Sequence, residues 1–84
     1  MKNEWSAMSD KTRREILTML KTRPHTAGEI ADQFELSAAT VSHHLSVLKA
    51  SGLVTSEKRA QTIIYSMNAS VLKKMLRVVG SFLD

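Results

Sequence analysis

Residues 26–51 read Thr26-Ala27-Gly28-Glu29-Ile30-Ala31-Asp32-Gln33-Phe34-Glu35-Leu36-Ser37-Ala38-Ala39-Thr40-Val41-Ser42-His43-His44-Leu45-Ser46-Val47-Leu48-Lys49-Ala50-Ser51, and this stretch decides the fold. Thr26 and Glu29 have the spacing of a capping box, in which hydroxyl and carboxylate satisfy the free backbone donors of a helix start. Behind them Ala27, Ile30, Ala31 and Phe34 recur at helical spacing, so a short helix over Thr26–Phe34 is expected. Ser37 is the next N-cap candidate. Val41, Leu45 and Leu48 then follow at i, i+4, i+7, and Gly52 is placed to take the left-handed conformation that ends a helix over Ala38–Ser51. Helix, short turn, helix is the arrangement whose second member enters the major groove of DNA.

The second helix supports that expectation by what its outer face lacks. Val41, Leu45 and Leu48 share one side and must face the core. Ala39, His43, Ser46 and Ala50 lie opposite, with Thr40 and Ser42 on the flanks. No acidic residue occurs between Leu36 and Ser56, and Lys49 is the one formal charge. A solvated helix normally carries several charges on its outer face. Small hydroxyls, alanines and a histidine can instead approach base edges closely, with methyl groups free to touch thymine. The competing reading is a helix face buried against another protein. His43 and His44 are adjacent, so they point in different directions and cannot jointly chelate one metal. His43 falls on the outer face, and His44 lies nearer the core as a packed, hydrogen-bonded histidine. His25, just before the capping box, reads as a loop residue.

Working outward, Ser9-Asp10 is a good N-cap pair for an upstream helix carrying Ile16, Leu17 and Leu20. That helix should end around Thr22, because Pro24 disfavours helical geometry at Arg23. Trp5, Ala7 and Met8 form a short apolar segment before it. After Gly52 the period changes to two, and Leu53–Lys58 and Gln61–Met67 read as strands joined by a turn at Arg59-Ala60. Asn68 or Ser70 caps a last helix running almost to the C-terminus. The expected fold class is mainly α with a two-stranded β wing, a winged helix-turn-helix, as a single domain over residues 1–84.

Charge is placed where a polyanion could use it. Twelve Lys+Arg against eight Asp+Glu give +4, a modest value that favours a polyanionic partner. Lys58 and Arg59 sit at the wing tip with Gln61 beside them. Lys11, Arg13 and Arg14 open the second helix, where phosphate contact competes with pairing to Glu15 or Asp10. Lys73, Lys74 and Arg77 read as a solvated face.

A chain of 84 residues buries little surface alone, and the last helix suggests what completes it. Leu72, Met75, Leu76, Val79, Phe82 and Leu83, with Val71 and Val78, spread over roughly 160° of arc at 3.6 residues per turn. One core needs a stripe of about 100°. The surplus, with Trp5 and Met8, is expected to meet a second copy of the same helix. Cysteine is absent, which excludes disulfides, thiolate metal sites and thiol nucleophiles. The longest apolar run is Ile63-Ile64-Tyr65, too short for a signal peptide or a membrane span. A cytoplasmic protein is expected. Nothing matches a nucleophile elbow, a phosphate loop or a metal-ligand spacing, so an enzyme is not expected.

The same residues carry a family resemblance. Ser9-Asp10-Lys11-Thr12-Arg13-Arg14-Glu15-Ile16-Leu17 resembles the S-D-x-T-R-x-x-I-L opening of the ArsR/SmtB family of bacterial winged-helix repressors. Thr40-Val41-Ser42-His43-His44-Leu45 through Leu48, then Gly52-Leu53-Val54, is similar to its T-V-S-x-H-L-x-x-L…G-L-V recognition segment. Lys58 to Met67 resembles its wing, R-x-G-[RQ]-x-x-x-Y-x-L. The resemblance implies a homodimer that binds a double-stranded operator and represses transcription. By position it places Ser37, Thr40, Ser42 and His43 in the major groove and Lys58, Arg59 and Gln61 on the wing. The departures are informative. The E-L-C-x-C-D-L cysteine pair is absent from Gly28–Phe34, and Val71–Leu83 has neither His nor acid, so both of the family's metal sites are missing. No cofactor is expected. Ala60 replaces the wing glycine. The resemblance is to the cysteine-free autorepressor branch, which responds to sequestration by a partner protein or to no ligand legible in sequence. A winged-helix module that docks another protein is the alternative; it would show no preference among DNA sequences and would not need Lys58 and Arg59.

Overall fold

The computed structural model describes residues 3–84. Helix α1 (Glu4–Met8) is started by Asn3, whose Oδ1 accepts from the Ser6 amide at 2.8 Å. Helix α2 (Lys11–Thr22) is capped by Asp10, whose carboxylate accepts from the Arg13 amide at 2.9 Å. It stops where expected, with Arg23 extended before Pro24. Strand β1 (His25–Thr26) leads into α3 (Ala27–Phe34), and both halves of the capping box form: Glu29 N–H to Thr26 Oγ1 at 3.1 Å, and Thr26 N–H to Glu29 Oε1 at 3.0 Å. Glu35 ends α3 in the left-handed region at φ 53°.

Ser37 starts α4 (Ala38–Ala50) by accepting from the Thr40 amide at 3.1 Å. At its other end Gly52 sits at φ 85°. The Gly52 amide reaches the Lys49 carbonyl and the Leu53 amide reaches the Leu48 carbonyl, each at 3.1 Å. This is the paired closure that a left-handed residue makes at a helix end. Strands β2 (Val54–Arg59) and β3 (Thr62–Met67) form the wing, and α5 (Ala69–Gly80) follows, capped by Asn68.

The two-stranded wing forms as expected, a third strand joins its sheet, and the placement of His25 and of the wing turn needs correction. The sheet has three strands in the order β1-β3-β2, because His25 pairs with Tyr65 and Thr26 with Ile64. A two-residue strand is too short to show alternation, so only its tertiary partner reveals it. His25 is accordingly no loop residue: it is 6% exposed, and its Nδ1–H donates to the Arg23 carbonyl at 2.8 Å. The wing turn lies at Ala60-Gln61, since Arg59 still pairs with Thr62. The last helix runs to Gly80, close to the end of the 84-residue chain as expected.

The core gathers Ile16, Leu17 and Leu20 of α2, Ile30 of α3, and Val41, Leu45 and Leu48 of α4, as their spacing requires. Val47, Leu53, Val54, Ala7 and Met75 complete it. Met75 is thereby drawn inward at 6% exposure, out of the set expected to meet a second copy. Leu72 and Met8 are half-buried against the same core.

Candidate nucleic-acid interface

With one side of α4 committed to the core, the other is presented to solvent. Ser37, Ala39, Thr40, Ser42, His43 and Ser46 are all exposed. The cap organises the first of these groups. The Ser37 hydroxyl accepts from the Thr40 amide and donates to Thr40 Oγ1 at 2.9 Å. The Thr40 hydroxyl therefore keeps its own proton to donate outward. No acid occupies the first turn of α4, so the positive end of the helix dipole is unopposed there. This surface can take a base edge or a phosphate.

His44 lies behind that surface. Its Nδ1 is 3.3 Å from Arg13 Nη1 and 3.9 Å from the Asp10 carboxylate. Arg13 can only donate, so the imidazole is the acceptor at Nδ1 and carries its proton on Nε2. Burial holds the His44 pKa below its ordinary value; Asp10 opposes this, while Arg13 and His43 reinforce it. His43 and His44 have ring centroids 5.8 Å apart and tilted planes, and they face different surroundings as adjacency on a helix requires.

The basic opening of α2 has a different task from the phosphate contact considered for it. Arg13 Nε donates to the Ala7 carbonyl at 2.8 Å and Arg14 Nη1 to the Met8 carbonyl at 2.8 Å. Arg13 Nη2 also reaches the Ser6 carbonyl at 3.5 Å. The Ala7 and Met8 carbonyls are free acceptors at the end of α1, and two cations close them, while the Ser6 carbonyl already accepts from the Ser9 amide and hydroxyl. Neither guanidinium pairs with Glu15, which Lys11 approaches at 3.8 Å. The guanidinium of Arg13 thus ties α1, α2 and the reading helix together. Sequence reasoning missed this because the acceptors are main-chain atoms with no residue signature.

On the wing, Lys58, Arg59 and Gln61 are exposed as expected. Arg59 Nε is 3.2 Å from Glu57 Oε1, a contact the alternation of a strand explains, since residues two apart share a face. Both side chains are well solvated, so the pair is weak. Lys58 projects from the opposite face and has no ion pair among the described residues. On α5 and the segment after it, Leu76, Phe82 and Leu83 are 71%, 81% and 85% exposed, with Val79, Val78 and, on α1, Trp5 also exposed.

This geometry coincides with a known family. Residues 10–56 match the family model described as "Bacterial regulatory protein, arsR family". The chain belongs to this family. It is 39% identical over 84 residues to the transcriptional repressor SdpR of Bacillus subtilis, covering 100% of this chain and 93% of that one. It is 36% identical over 73 residues to the transcriptional activator HlyU of Vibrio cholerae, covering 87% of this chain and 68% of that one. The solved structure of HlyU from Vibrio cholerae superposes with a TM-score of 0.78 at 33% identity, over 93% of this chain and 85% of that one. An ArsR family regulator structure at 22% identity superposes with a TM-score of 0.86, over 94% of this chain and 81% of that one; it supports the fold. The chain is a DNA-binding transcriptional regulator of a non-enzymatic family. Among the described residues no helix is long and apolar enough to cross a membrane.

Proposed function

We propose that the chain folds as one unit over residues 1–84, forms a homodimer in the cytoplasm, and represses transcription by occupying a palindromic operator. The observation that carries this reading is the exposed, acid-free face of α4 beside a basic wing tip. Thr40, Ser42, His43 and Ser46 would read bases, with Ala39 against thymine methyls and Ser37 at the helix start. Lys58, Arg59 and Gln61 would hold the backbone. The exposed Trp5, Leu76, Val79, Phe82 and Leu83, with half-buried Met8 and Leu72 at their margin, would meet the same surface of a second copy. Two α4 helices related by a two-fold axis meet successive major grooves about 34–36 Å apart. Repression is favoured over activation by the likeness to SdpR, which spans the whole chain. No metal-sensing site is assigned, and the chain would either be released from DNA by a sequestering protein partner or respond to no ligand legible in its sequence.

Footprinting on the DNA upstream of the protein's own gene, with zinc and with chelator, tests the reading. Protection of two half-sites about one helical turn apart, equal in both conditions, is expected. Uniform weak binding across all DNA would overturn operator recognition, and protection that depends on zinc would overturn metal independence.

A further inference from the structure

Between α2 and α3 lies a cleft of about 450 Å³ walled by Met19, Phe34, Thr18, Glu15 and Gln33, with His25 of β1 also lining it. A second depression of about 380 Å³ continues it past Met19, His25 and Gln33 to Glu29 and Asp32. Together they have the size of a small-molecule site. His25 is unusual there. The residue is more than nine-tenths buried, and Nδ1–H is spent on the Arg23 carbonyl at 2.8 Å. A carbonyl can only accept, so in the neutral ring Nε2 is an acceptor. Among the described residues Nε2 meets no donor, yet no fully buried side-chain nitrogen or oxygen there lacks a partner. Nε2 is therefore not fully occluded, and the cleft that His25 lines is where a donor could reach it.

The rest of the lining defines what would complete it. Met19 and Phe34 offer a thioether and an aromatic ring, surfaces that take a flat apolar body. The charges at the mouth are mainly acidic. Glu29 is engaged by Arg23 at 3.2 Å and Glu15 more loosely by Lys11 at 3.8 Å, whereas Asp32 has no ion pair among the described residues. We propose that the α2–α3 cleft binds a small organic cation, an aromatic amine-bearing molecule whose ring lies between Met19 and Phe34. Its ammonium donates toward His25 Nε2, and the carboxylates of Glu15 on one side of the cleft and Asp32 on the other favour it through their negative potential. The site is separate from the α4 face and the wing.

The probe is phenethylamine, titrated into the full chain at pH 8, where the amine is protonated. The readout is NMR of the Met19 methyl, the His25 ring and the Phe34 ring, with phenylacetate as the anion of matching shape. Saturable shifts at those three residues with a Kd of about 1 mM or tighter are expected, a reasonable affinity for so few atoms. Phenylacetate should bind at least about tenfold more weakly. Asp32→Lys, at an exposed position, should weaken the amine about tenfold and leave the spectrum folded. His25→Phe should abolish the shifts where it folds. Absence of saturation at these residues, equal binding of the anion, or an Asp32→Lys chain that binds the amine unchanged would each overturn the site.

Discussion

At the scale of single residues, Thr40 and His43 differ from Lys58 in what they should do to DNA binding. Thr40 has a hydroxyl proton left over after capping, and His43 is exposed on the face of α4 away from the core. Thr40→Ala or His43→Ala should cost roughly 1–3 kcal/mol on the operator and little on random DNA, measured by titration of both duplexes. Equal losses on the two would remove base reading from these residues. Lys58→Ala should lower the salt slope of binding by about one while sequence preference is kept. Lys58 is the cleaner test than Arg59, whose guanidinium already faces Glu57.

His44 sets a second expectation at this scale. Its folded pKa lies below the ordinary 6.5 because burial disfavours the imidazolium. In the window below 6.5 the unfolded chain therefore binds the proton more readily than the folded one. The contribution is fully present above the unfolded pKa and is lost as pH falls through the depressed folded value. Protonation would also turn Nδ1 from acceptor to donor against Arg13 Nη1, 3.3 Å away. Urea midpoints from pH 8 to pH 5 should fall more steeply in the wild type than in His44→Gln. Parallel curves would sink this role for His44.

At the scale of elements, most helix starts were legible because capping is local chemistry. Asp10, Thr26, Ser37 and Asn68 each bond an amide two or three residues ahead, and the residue types announce it. The wing was less legible. Ala60 occupies φ 55° at the first position of the turn, a conformation that glycine adopts without penalty. Nothing in the residue types Arg59-Ala60-Gln61 marks where such a turn falls, and the Arg59–Thr62 pairing moves it one residue on. Ala60→Gly should relieve about 1 kcal/mol of backbone strain, offset in part by the added freedom of the unfolded chain. A small rise in thermal midpoint checks this, and a clear fall would show that Ala60 is not strained.

At the scale of the whole molecule, the exposed apolar strip of α5 and the segment after it is the feature a lone protomer leaves unexplained. Contiguous exposed apolar surface of this kind marks an interaction site. Burial of each Leu- or Phe-sized side chain is worth about 1.5–3 kcal/mol, and two-fold symmetry counts every residue twice. Leu76→Glu, at a position 71% exposed in the protomer, should therefore weaken a dimer by roughly a hundredfold or more without unfolding the chain. Sedimentation at micromolar concentration should show wild-type dimer and variant monomer. Identical sedimentation of the two would place the dimer contact elsewhere or remove it.

Helix periodicity, caps and the empty charge pattern of α4 were determined by the sequence alone, because each depends on residues within a few positions of one another. The side chains facing out of α4 follow directly from those facing in. Other features needed the tertiary structure, because they join distant parts of the chain or use main-chain atoms. Met75 sits in the core although it shares the apolar arc of α5, since the fold sets how wide a stripe the core can cover. Arg13 and Arg14 close α1 through carbonyls that carry no side-chain signature. His25 became a buried strand residue only because Tyr65, forty positions away, supplied its partner.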